Sequence, residues 1–194
     1  MRASPARRIG RIALISGLAA FSVSLASRAE TGLNPAAEDT QALSNNQLQP
    51  WTEGNKPPLR LPVLDGATAD LADHAGKTVL VHFFATYCAP CRPELASLAR
   101  LAERRAGRPF TILAIDVGEV PDRVRRFLST APVPFPVLLD GDRSVTKSWG
   151  VYGLPTTFVL DAKLTPRLYV EGDLDWMRAD ILAKLDGVAA SATD

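Results

Sequence analysis

TVLVHFFATYCAPCRPELASL, residues Thr78 to Leu98, joins two opposed patterns at a cysteine pair. Its first part, Thr78 to Ala85, is a nearly continuous apolar and β-branched run, the composition of a strand buried on both faces. From Pro93 onward Leu95, Leu98, Leu101, Ala102 and Ala106 recur at helical spacing, and Gly107 is a natural stop. Cys88 and Cys91, both cysteines of the chain, fall at the junction between the two.

Working outward, the same alternation of strand and helix repeats. Leu59 to Leu64 alternates apolar and polar before Asp65-Gly66, which predicts a short strand and a hairpin. Phe110 to Asp116 is a second buried strand. Pro121 opens a helix to about Ser129 with Val124, Phe127 and Leu128 inward. Phe135 to Leu139 is a third strand, Asp142 to Trp149 a short helix, Thr156 to Leu160 and Leu168 to Val170 the last strands, and Leu174 to Leu185 a closing helix. This order predicts an α/β domain with a central sheet flanked by helices. The last two strands are close enough in sequence to be antiparallel, so the sheet is mixed.

The chain has 194 residues, 46% hydrophobic and 22% charged, with a formal net charge of +1. That balance gives no drive towards nucleic acid, and the cluster Arg100, Arg104, Arg105 and Arg108 reads as a solvated helix face. Residues 1–29 have the layout of an export signal: Arg2, Arg7, Arg8 and Arg11, then the apolar run Ile12 to Ala26, then small residues with cleavage points after Ala26 or Ala29. The segment is either cleaved or kept as an N-terminal anchor, and its charge sends the rest of the chain outward. Arg7-Arg8 also raises a twin-arginine route. Residues 30–58, polar and rich in Pro, Asn and Gln, read as a flexible tether, 59–188 as the folded domain, and 189–194 as a disordered tail.

Three bland readings of the cysteine pair compete with a catalytic one. A structural disulfide closing so small a loop removes roughly 2 kcal/mol of unfolded-state entropy, against about 4.7 for a loop of a hundred residues. Structural zinc needs four ligands, and the chain adds only His74 and His82 to the cysteines. Two thiolates could also capture Cu(I), but copper carriers usually add Met or His, and the methionines are Met1 and Met177. A redox dithiol explains the placement: a helix N-terminus stabilises a thiolate at Cys88, and Cys91 lies within reach to resolve a mixed disulfide. Pro90 fits a first helical turn.

With GLPTTFVLD some sixty residues further on, this stretch resembles the thioredoxin superfamily, and more narrowly the exported TlpA/ResA-like thiol:disulfide oxidoreductases, over Leu59 to Leu185. The resemblance implies a thioredoxin-like fold with an N-terminal hairpin and a helix-containing insert. It implies that Cys88 attacks, that Cys91 is the buried partner thiol, and that Pro155 is a cis-proline facing them. Tyr87, Ala89, Pro90 and Leu154 then contact substrate. Glu94 stands where ResA-like proteins carry an acid near the dithiol; a first-turn glutamate favoured by the helix dipole is the plain alternative. The implied function is that of a monomeric, periplasmic or otherwise extracytoplasmic reductant of oxidised proteins such as apocytochrome c. It would be fed by a membrane thiol donor and need neither cofactor nor metal. A general oxidant of the DsbA type lacks room for its inserted helical domain. A copper-delivery or assembly factor using the same dithiol is the rival from another class. Three departures stand out. His82 replaces an acid or Asn, Phe84 and Tyr87 replace the tryptophans of WATWC, and DAKLTPRLYVEGD lacks the usual glycine turn between the last strands.

Overall fold

The computed structural model describes residues 46–190. Within them lie eight strands and four α-helices: β1 (Gln49–Pro50), β2 (Arg60–Pro62), β3 (Thr68–Asp70), β4 (Thr78–Phe84), α1 (Cys91–Arg104), β5 (Phe110–Val117), α2 (Pro121–Thr130), β6 (Val137–Asp140), α3 (Ser144–Ser148), β7 (Thr156–Leu160), β8 (Pro166–Glu171) and α4 (Ala179–Ala190). Six strands form one mixed sheet in the order β1-β8-β7-β4-β5-β6, with β4 parallel to β5 and antiparallel to β7. Every residue of β4 is buried, as its unbroken apolar run requires of a central strand covered on both faces.

Side-chain alternation along β4 divides the core. Val79, Val81 and Phe83 face a cluster with Leu59, Trp149 and Phe158. Leu80 faces Leu98 and Leu101 of α1 and Ile181 and Leu185 of α4, while Phe84 faces Cys91, Leu95 and, on α2, Val124 and Phe127. The hairpin β2–β3 turns at Gly66 (φ 100°), where the Val63 amide donates to the Ala67 carbonyl, and it joins the sheet edge through a Val63–Leu138 bridge.

Four sequence expectations are corrected. Residues 46–58, read as part of a tether, instead bury Leu48, pair Gln49 and Pro50 with β8 and lay Trp51 against Phe158 and Tyr169. Edge pairing is a tertiary contact that a local apolar count cannot see. The other expectations for residues 1–45, and that for residues 191–194, lie outside the described residues. The closing helix spans Ala179 to Ala190, not Leu174 to Leu185, because Leu174 to Arg178 form an irregular segment whose apolar side chains are buried by packing on α1 rather than by helical phase. The domain accordingly continues past residue 188. Arg105 is not on a solvated face: it caps α1, is 7% exposed, and pairs at 2.6 Å with Asp186 of α4.

The β7–β8 connection is rebuilt around Asp161, as the missing glycine suggests. Its Oδ1 accepts from the amides of Lys163 and Thr165, and its Oδ2 from Arg167 Nε. Leu164 occupies the left-handed region at φ 58°, where a residue other than Gly is strained by about 1 kcal/mol. These bonds hold it there.

Candidate active site

The strand-to-helix junction places the two sulfurs. After β4 the chain turns, with the Cys88 amide donating to the Ala85 carbonyl, and Pro90 (φ −70°) caps α1. Cys91 is the first residue of the helix and Cys88 stands just before it, so the pair lies at the helix end whose first-turn N–H groups lack intrahelical partners. The two are joined in a disulfide with Cα atoms 5.3 Å apart. Cys91 is 1% exposed, whereas Cys88 is half-buried, flanked by exposed Tyr87, Ala89 and Pro90. One sulfur of the pair can be reached from outside and the other cannot.

The Leu154–Pro155 peptide is cis. Leu154 packs on the same cluster as Cys88, Phe84 and Cys91, so the loop before β7 lies beside the dithiol although more than sixty residues separate them in the chain. Pro155 is buried and Leu154 half-buried.

Glu94 follows Cys91 by one helical turn and is fully buried. Its Oε1 accepts from Trp176 Nε1 at 2.8 Å, and Oε2 has no hydrogen-bond partner among the described residues. Burial pushes this carboxyl well above its usual range and the charge of Asp173 adds to the effect, against the opposing Trp176 and Leu174 donors. Ser97, one turn further along α1, orients the tryptophan: its Oγ donates to Asp175 Oδ1 and accepts the Trp176 amide at 2.7 Å. Glu94 is therefore a buried acid of raised pKa in the first turn of α1, and its side-chain hydrogen bond goes to Trp176, not to a sulfur.

His82 lies on the same face of β4 as Phe84, one residue pair back, and stacks on it with centroids 6.0 Å apart. Its Nδ1 sits 2.9 Å from Thr157 Oγ1 and Nε2 has no partner among the described residues, while burial lowers its pKa to about 3. The imidazole is neutral at all ordinary pH.

A second polar group escaped the sequence reading. Glu119, in the loop after β5, accepts from the Thr86 amide and, at 2.8 Å, from the Thr86 hydroxyl, and pairs with Arg123 at 3.0 Å. This clamps the turn that carries Cys88. Asp116, opposite Phe84 in the sheet, has its carboxyl pushed up by burial and by Glu119, while Thr86 and Arg123 hold Glu119 below its ordinary value in spite of burial. The available signal was positional: both acids stand at the carboxyl end of a strand next to the cysteine strand, where open α/β sheets place their sites. Nothing in the sequence near Glu94 pointed to Trp176.

Among the described residues no group of three or more His, Cys, Asp and Glu side chains could hold a metal ion, and no helix is long and apolar enough to cross a membrane.

Comparison with known proteins agrees with this geometry. The sequence pattern of the AhpC/TSA family matches residues 54–165. Over 97 residues the chain is 36% identical to the thiol-disulfide oxidoreductase ResA of Bacillus subtilis (strain 168), covering 50% of this chain and 54% of that protein. Over 132 residues it is 30% identical to the ResA protein of Geobacillus thermodenitrificans (strain NG80-2), covering 68% of this chain and 75% of that one. The chain thus spans about half the length of the Bacillus ResA proteins it matches. Among solved structures, a secreted Mycobacterium tuberculosis disulfide oxidoreductase homologous to Escherichia coli DsbE superposes with a TM-score of 0.57 at 25% identity, covering 68% of this chain and 95% of that one. The fold is thioredoxin-like.

Proposed function

The chain belongs to the AhpC/TSA family, and from that premise we propose that it is an extracytoplasmic thiol:disulfide oxidoreductase that reduces specific oxidised proteins, apocytochrome c among them. The observation that carries the reading is the asymmetry of the pair: a reachable Cys88 and a buried Cys91 in one disulfide at a helix N-terminus. In the reduced form the Cys88 thiolate attacks one sulfur of a partner's disulfide. An S–S bond forms between Cys88 and the partner, and the partner's other sulfur leaves as a thiolate and takes up a proton. Cys91 then loses its proton and attacks the Cys88 sulfur, releasing the second partner thiol and closing the Cys88–Cys91 disulfide. The partner gains two electrons and two protons, which a membrane-bound dithiol donor restores to this protein.

Glu94 supports the second step. A buried carboxyl of raised pKa one turn from Cys91 can exchange a proton with it, and its ionised form would raise neighbouring thiol pKa values. Leu154 and Pro155 support partner binding beside the sulfurs, with Tyr87, Ala89 and Pro90 on the exposed side.

Replacement of Cys91 by serine in the native compartment tests the reading. Mixed disulfides between Cys88 and partner cysteines should accumulate, and Cys88→Ser should abolish both capture and reductase activity. Capture of no thiol partner, or full function in both variants, would overturn it.

A further inference from the structure

The large hydrophobic side chains left exposed among the described residues are Tyr87 (59%), Val120 (66%) and Tyr152 (95%). Singly exposed apolar residues need no explanation, but Tyr87 and Tyr152 line one groove. Tyr87 precedes Cys88; Val120 follows Glu119, the clamp on Thr86; and Tyr152 lies two residues before Leu154, which packs on the same cluster as Cys88. Exposed apolar surface gathered at one edge marks an interaction site.

Tyr87, Val151, Tyr152 and Leu154 line one groove beside the disulfide, and its charged members are Arg143 and Lys147. Arg143 is exposed and caps α3. Its backbone is left-handed (φ 60°), and its guanidinium lies over Gly118 (φ 78°), where any Cβ would collide with it. Lys147 is exposed, one turn later on α3. Among the described residues neither cation forms an ion pair. Two of the acids on adjoining loops are already engaged. Glu119 serves Thr86 and Arg123, and Asp140 accepts from the Val145 and Thr146 amides. Glu171 reaches the groove's edge, against Gly153, and Asp142, next to Arg143 in the chain, accepts from the Ser144 amide.

We infer that this groove docks an extended segment of the partner that carries acidic side chains beside its cysteine. The tyrosines and Leu154 hold the apolar parts of the segment, while Arg143 and Lys147 select its charge. That the occupant is an oxidised partner rests on the function proposed above; the charge preference rests on the groove.

Three peptides of one sequence, with Glu, Gln or Lys flanking a cysteine in disulfide linkage to a fluorescent thiol, test it with the purified full chain, its Cys88–Cys91 disulfide kept reduced by excess dithiothreitol whose direct reaction with each peptide is subtracted. The acidic peptide should be reduced with a kcat/KM about fivefold above the neutral one, the scale of an exposed ion pair or two, and the basic peptide should be slowest. Salt should shrink the difference, because the screening length falls to about 3 Å at 1 M. Lys147→Glu should reverse the order, and Lys147→Gln should compress it. A variant that failed to fold would lose all three peptides alike, whereas a reversal requires an intact groove. Binding of the same peptides with Ser for Cys, followed by fluorescence anisotropy, reads the groove without chemistry. Preference in binding with no reduction would sink the oxidoreductase reading and keep this one. Reduction of all three peptides at equal kcat/KM, or an unchanged order in Lys147→Glu, would overturn the charge selection and leave the oxidoreductase standing.

Discussion

Glu94 and Asp161 are both buried carboxyls at the end of a regular element, yet they sit at opposite ends of the charge scale. Asp161 is 1% exposed and holds its pKa below the ordinary value: although burial pulls it up, the Thr165 and Lys163 amides and the Arg167 guanidinium outweigh that pull. Glu94 is 0% exposed, has one side-chain donor in Trp176, and is pushed well up. Burial alone therefore does not decide whether a carboxyl is charged. The count of donors aimed at it does. The turn between β7 and β8 needs a fixed anion to hold Leu164 in a strained conformation; the first turn of α1 holds an acid whose pKa is raised by burial.

Removing the anion is the harshest way to break the comparison. Asp161→Ala strands two amides and leaves the half-exposed Arg167 guanidinium to solvent, and should lower unfolding free energy by about 2 kcal/mol in urea titration. An unchanged midpoint would mean that the turn does not depend on its carboxylate.

The pH dependence of stability sharpens the contrast further. Glu94 has a folded pKa raised above 4.5, so as pH rises through 4.5 the unfolded chain ionises while the folded one keeps its proton. Stability from this group is full below 4.5 and falls by up to about 1.4 kcal/mol per pH unit above it. Glu94→Gln should remove that slope and be the more stable protein at neutral pH. Asp161 works the other way: its contribution is present above 3.8 and is lost as pH falls through its lowered folded value, so Asp161→Asn should flatten the acid limb instead. Identical pH–stability profiles for wild type and Glu94→Gln would refute the raised pKa.

Trp176→Phe keeps most of the buried ring and deletes the donor. It should destabilise by about 1 kcal/mol and raise the Glu94 pKa further, which carboxyl-resolved NMR titration would register; a fall would contradict the role given to the indole. The smallest effect at neutral pH is expected for His82. Its imidazole is uncharged there in both folded and unfolded chains, so its titration contributes only as pH falls from 6.5 towards about 3, where a lowered folded pKa costs stability. His82→Asn should flatten that part of the profile whatever packing it loses, and an unaltered slope between pH 6 and 4 would count against a neutral buried ring.

Much of the fold was legible because burial periodicity is local. β4 and β7 fall within a residue of the runs that predicted them, and α1 starts at Cys91 with its inward Leu95, Leu98 and Leu101. The cysteine junction was legible for the same reason, since strand, dithiol and helix are consecutive. What failed was non-local. Leu48 and Gln49 read as tether because their partner strand is β8, far along the chain. Arg105 read as solvated because its counterion, Asp186, belongs to α4. Leu174 and Trp176 read as helix because apolar spacing cannot tell a helix from a segment draped over one.

By itself the sequence determined a strand–dithiol–helix unit within an α/β sheet, and with it which two sulfurs lie within reach of one another. Only the tertiary structure decided their surroundings: the Trp176 donor that leaves Glu94 half-satisfied, the Glu119 clamp on Thr86, and the basic groove assembled from α3 and the loop before β7. The physical reason is range. Backbone propensity and apolar period act over a few residues, whereas desolvation, donor count and groove charge are sums over whatever the folded chain brings together.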